Sequence, residues 1–139
     1  MKKGEAMPEL LLFNIQDPEK LTAIRLISLR LGLQWKEVPP EQQGMTIETL
    51  LTGEMGLPAE DRGEPFSDEM LLMHALSQAD FHTLLDTLRA NGQSIRLKAV
   101  VTDHNRRWTA KQLHRELCAE EEAMKRWKLQ AQNKKHKKK

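Results

Sequence analysis

The stretch DEMLLMHALSQADFHTLLDTLRANGQSIRLKAVV, Asp68 to Val101, decides the fold. Met70 to Met73 is a continuous apolar run, the mark of a strand covered on both faces. Ser77 followed by Asp80 signals a helix start, because a short hydroxyl accepts from a first-turn N–H and an acid there complements the dipole. Phe81, Leu84, Leu85 and Leu88 then recur at helical spacing as one apolar stripe, with Asp80, Asp86 and Arg89 outside it. Gly92 stops the helix, and from Ile95 to Val101 apolar residues interleave with Arg96 and Lys98. The reading is strand, helix, strand.

The same order occupies Pro8 to Val38. Leu10 to Phe13 is the apolar run, Asp17 and Pro18 are an N-cap with proline at the first helical position, Gly32 is the stop, and an alternating run ends in Lys36 and Val38. The offset is 60 residues through the helices (Leu21 with Phe81, Ile24 with Leu84, Gly32 with Gly92) and 62 in the last strand (Lys36 with Lys98, Val38 with Val100). Two βαβ units follow. The continuously apolar first and third strands belong in the centre, and Leu33 to Val38 and Ile95 to Val101, which interleave polar residues, belong at the edges. The first helix is apolar well past one stripe, through Leu26 and Leu29, so it should touch a second element besides the sheet, and a C-terminal helix is the candidate. That helix opens at Thr109, with Gln112 completing a capping box, and runs through Leu113, Leu117 and Met124 toward Trp127.

This order predicts an α+β fold: a ferredoxin-like, two-fold βαβ repeat whose two units form a four-stranded antiparallel sheet with both helices on one face, followed by a C-terminal helix. The alternative is a small α/β doubly wound parallel sheet with helices on both faces. It is favoured by the long connection from Glu41 to Ser67, where Met45, Ile47, Leu50 and Leu51 make a short helix. Residues 1–7 are expected to be disordered, residues 8–124 to form one domain, and residues 125–139 to be a basic, disordered tail.

Composition bounds the function. The chain has 139 residues, 39% hydrophobic and 30% charged, room for one core. No apolar run approaches the ~20 residues that span a bilayer, and MKKGEAMPEL has no apolar signal core, so a soluble cytoplasmic protein with no membrane partner is expected. Cys118 is alone, which excludes an internal disulfide and a multi-cysteine zinc site. Three Trp, three Phe and no Tyr leave few surfaces for stacking bases. Charge is divided by segment: Lys125, Arg126, Lys128, Lys134, Lys135, Lys137, Lys138 and Lys139 supply eight of the 22 basic residues, leaving 14 against 20 acidic ones in the rest. Such a tail can hold RNA, DNA or an acidic protein through sequence-blind attraction, or merely stay solvated.

The densest set of polar groups follows the last strand: Thr102, Asp103, His104, Asn105, Arg106 and Arg107, then Trp108. Arginines beside a helix start can hold an anion, whereas an ordinary turn would spend Asp103 and Asn105 on local backbone. Asn14, His74 and Thr102 follow their strands at the carboxyl ends, where an open parallel sheet places its ligands; they converge, with Asp103, only if the strands run parallel. His114 and Cys118 stand four apart on one helix face, yet two ligands do not complete a zinc site and Glu121 would be an arbitrary third. No metal, no cofactor and no catalytic residue is assigned. No glycine loop for phosphates, serine elbow or paired-cysteine motif is present.

The first strand LLLFNI, the segment KEVPPE from Lys36 to Glu41, the strand MLLMHALS, and LKAVVT at Leu97 to Thr102 followed by Asn105 and Trp108 together resemble a bacterial family known as domain of unknown function 3783. The likeness covers most of Leu10 to Met124. Where that family runs into a Thr-Pro-Thr-Asn turn, Asp103 and His104 stand here. The resemblance implies a bacterial cytoplasmic α/β domain and supplies no catalytic residues. The functional expectation is a non-enzymatic binding or regulatory domain that self-associates or docks a protein partner through a sheet face or the broad first helix. Nucleic-acid or ribosome association through the tail is the alternative, and a ligand or enzymatic site at the strand ends a further one.

Overall fold

A computed structural model describes residues 7–53 and 63–137 of the chain, with the backbone alone for 133–137. All but Met7 of the N-terminal stretch expected to be disordered lies outside them, as do Lys138 and Lys139. The elements are β1 (Glu9–Phe13), α1 (Pro18–Leu31), β2 (Gln34–Val38), α2 (Ile47–Thr52), β3 (Met70–His74), α3 (Gln78–Ala90), β4 (Leu97–Val100) and α4 (Ala110–Lys137), with short 3-10 turns at Pro40–Gln42 and Asn105–Arg107.

Local chemistry sets the boundaries. Asp17 accepts a bond from the Glu19 amide at 3.0 Å with Pro18 following, and Ser77 accepts from the Asp80 amide at 3.1 Å. Gly32 at φ 73° and Gly92 at φ 68° turn the chain out of α1 and α3 through left-handed backbone. Between each central strand and its helix stands a non-glycine residue in that same region, Asn14 at φ 60° and Ala75 at φ 61°. The two units therefore share even their turn geometry.

The sheet has the order β2-β1-β3-β4. Within each unit the strands pair directly and in parallel, and the units meet in an antiparallel β1–β3 pair that sets Glu9 opposite His74 and Phe13 opposite Met70. The α+β fold with a doubled βαβ plan and a C-terminal helix is borne out, with the central and edge strands as expected. The doubly wound parallel alternative fails on the β1–β3 pairing. The sheet is mixed, not wholly antiparallel, because each unit keeps its own two strands side by side.

Alternation sorts the core into two layers. Leu10, Leu12, Leu71 and Met73 face Ile24 and Ile27 of α1 and Leu84 and Leu88 of α3. Leu11, Phe13, Met70 and Leu72 face Ile47 and Leu50 of α2 and Ala110 and Leu113 of α4. Cover on both sides explains why β1 and β3 are apolar throughout. It also corrects two expectations. α4 lies across the sheet from α1, which instead packs on α3, so Leu26 and Leu29 of α1 stay 63% and 82% exposed. The match of Lys36 with Lys98 is one of letters alone: Lys36 pairs with Leu11 and Lys98 with Leu71, residues on opposite faces. A one-residue slip in a strand exchanges its faces.

Candidate functional site

The connection before β3 is held down by side chains. The Asn14 amide donates to the carbonyls of Phe66 at 2.8 Å and Asp68 at 3.0 Å. Gln43, wholly buried, donates to the Phe66 carbonyl and accepts from its amide at 2.9 Å, and buried Lys111 of α4 donates to the Gly63 carbonyl. Asn14 is thus a clip between the first strand and this loop, its donors spent on backbone. Phe66 stacks on the His114 ring of α4, with centroids 4.2 Å apart and planes 5° apart.

Asp68 ends up against α4 as a result. Its Oδ2 lies 2.9 Å from His114 Nε2, and the Cys118 Sγ lies 3.5 Å from the same nitrogen. The three ligand atoms fall within 4.8 Å of one another. Arg96 approaches the other oxygen of Asp68 at 3.4 Å and Glu121 at 3.5 Å. Desolvation, then Asp68, pushes the Cys118 thiol above its ordinary range, so it is protonated at neutral pH. Because carboxylate and sulfur share one ring nitrogen, the trio is not a relay in which an acid orients the histidine that activates the thiol. The helical spacing of His114 and Cys118 was legible; Asp68, 46 residues away from His114, carries no local signal.

At the other end of the sheet, His74 sits opposite Glu9 and within electrostatic reach of Arg106. Burial first, then Arg106, holds its pKa below the ordinary imidazole value, with Glu9 pulling the other way. Arg106 pairs with Glu48 and Asp103, each at 3.6 Å. Asn105 is buried: it accepts from the Thr102 amide at 2.8 Å, donates to the Val100 carbonyl at 3.0 Å, and its amide donates to the Thr102 hydroxyl. His104 packs edge-on against Trp108 at 5.1 Å, and Arg107 is exposed. Asn105 is thus spent on local backbone, as in the ordinary-turn reading, while the Asp103 side chain is exposed and lies against Arg106. The first amides of α4 are occupied as well, Ala110 by the Met45 carbonyl, Lys111 by that of Gln43 and Gln112 by the Thr109 hydroxyl, which leaves an anion no free donor among them. Antiparallel pairing sets Asn14 at the far end of the sheet from His74 and Thr102. Asn14 lines an open groove with Gln16, Glu37 and Pro39, and the four polar groups do not share a cavity among those of the described residues.

α4 supplies the remaining feature. It continues through Lys125 to Lys137, so the basic stretch expected to be a disordered tail extends the helix. Along one line of this helix Leu113 is buried and Leu117 half-buried, whereas Met124 is 53% and Trp127 63% exposed. Every residue from Glu122 to Gln130 is exposed. Lys125, Arg126 and Lys128 flank this line; Lys134, Lys135 and Lys137 lie where only backbone is described. Among the described residues no helix is long and apolar enough to cross a membrane.

Fold and site together define a small α+β domain of two paired βαβ units with a long basic terminal helix. Residues 69–124, the second unit and the first half of α4, match the model of DUF3783, a domain of unknown function, and the resemblance read from the sequence is borne out there. No curated protein and no solved structure matches the chain.

Proposed function

We propose that the chain is a non-enzymatic protein-binding domain of the bacterial cytoplasm and that the distal half of α4 is the element it presents. One observation carries this reading: the apolar line that seats α4 on the sheet continues past the sheet's cover, through Met124 and Trp127, in a stretch whose charges are all positive beyond Glu122. An amphipathic helix of this kind fits an apolar groove with an acidic rim, its anchors spaced i, i+3 and i+7 at Met124, Trp127 and Ala131. Exposed tryptophan is the residue type that most often dominates such contacts. The expected docking through a sheet face loses its motive, since α1 and α3 cover one face and α2 and α4 the other. A purely phosphate-binding arm has no use for Met124 and Trp127, which favours protein over nucleic acid as the partner.

The test is co-purification with the tagged full-length chain from its own cells, after nuclease treatment. A specific protein should be retained by wild type and reduced at least tenfold by Trp127→Ala and by the pair Lys125→Glu and Lys128→Glu, with unchanged thermal midpoints. Retention unaffected by Trp127→Ala, or capture lost on nuclease treatment and falling steeply with salt, contradicts the reading; the second outcome assigns α4 to nucleic acid.

A further inference from the structure

We propose that Asp68, His114 and Cys118 bind one divalent ion of the zinc class, with water completing the shell. Zinc takes sulfur, imidazole and carboxylate ligands together, and three protein ligands with an open fourth position are an established coordination pattern. The spacing fits. Bonds of ~2.3 Å to sulfur and ~2.0 Å to nitrogen at a tetrahedral angle separate the two donors by about 3.5 Å, and Sγ and Nε2 lie 3.5 Å apart. The carboxylate oxygen at 2.9 Å from Nε2 needs only a few tenths of an ångström of retreat to reach the corresponding distance.

The ring nitrogen also argues for an ion. Nε2 faces both an oxygen and a sulfur, and one N–H serves only one of them; a metal at their common centre serves all three. On binding, Cys118 gives up its thiol proton to solvent, and the hydrogen that Nε2 donates to Asp68 must leave that nitrogen, a neutral ring taking one back at Nδ1. Thiolate and carboxylate then balance the ion's two charges, and Arg96 is balanced by Glu121. Arg96 touches Oδ1 of Asp68 and leaves Oδ2 to the site. The supports are built in: Asn14 fixes the Asp68 backbone, and Phe66 fixes the His114 ring by stacking. The ion would tie the start of β3 to α4.

Cobalt(II) titrated into the chelator-treated full-length chain tests this. One equivalent should produce a near-ultraviolet thiolate-to-cobalt band with visible bands of tetrahedral intensity, and excess zinc should abolish both. Cys118→Ser should remove the thiolate band, and Asp68→Asn should weaken binding at least tenfold, with circular dichroism checking the fold of each variant. Absence of a thiolate band in the wild-type protein, its persistence in Cys118→Ser, or unchanged affinity in Asp68→Asn overturns the site.

Discussion

Asn14 and Ala75 occupy the same left-handed turn in the two halves, and their side chains make the difference. Ala75 has nothing to offset a backbone that costs an L-residue about 1–2 kcal/mol, so Ala75→Gly should raise stability by up to about 1 kcal/mol. Asn14 holds the Phe66 and Asp68 carbonyls, and Asn14→Ala should cost about 1–3 kcal/mol by removing both bonds, Gln43 still serving the Phe66 carbonyl while that of Asp68 loses this donor. Denaturant midpoints check both; equal effects at the two positions would contradict the clip. His74 carries a pH dependence. Its pKa is lowered in the fold by burial and Arg106, so the unfolded chain takes up a proton first as pH falls. Its contribution is intact well above pH ~6.5 and is lost as pH drops below that value, until the folded ring also protonates. His74→Gln should therefore lose less stability than wild type between about pH 7.5 and 5.5; an equal loss contradicts the assignment. At this scale the sequence was only half legible. That Asn105 belongs to a turn could be read from its neighbours, whereas the partners of Asn14 lie more than 50 residues away.

Elements were legible where the cause is local. Asp17–Pro18, Ser77, Thr109, Gly32 and Gly92 mark helix ends through bonds and dihedrals that a few neighbouring residues decide, and each lies at or beside the end it marks. Periodicity failed where it had to choose a partner. Leu26 and Leu29 widen the apolar surface of α1 without meeting α4, because the apolar first turns of α4, Ala110 and Leu113, are taken up by the opposite layer. The slip from Lys36 to Lys98 is invisible in letters, since turn length between Gly92 and β4 sets which face each residue takes. The distal half of α4 read as a solvated tail because like charges repel, but lysine, arginine, glutamine and alanine are also good helix formers, and a helix already seated by Leu113 and Leu117 needs no new nucleus to continue.

For the whole molecule, pairing two βαβ units through β1 and β3 separates strand ends that a parallel sheet would gather, which leaves Asn14 and His74 at opposite ends. The same arrangement leaves two sheet faces to cover, and among the described residues these are closed by α1 and α3 on one side and α2 and α4 on the other. The element proposed to meet a partner is the helix that outruns its sheet, and a photoreactive amino acid in place of Trp127 asks directly what it meets. In cells, irradiation should yield one nuclease-resistant covalent adduct with another protein, absent when the same group replaces Asp86 on the exposed side of α3. No adduct at position 127, the same adduct from position 86, or an adduct destroyed by nuclease would contradict the account.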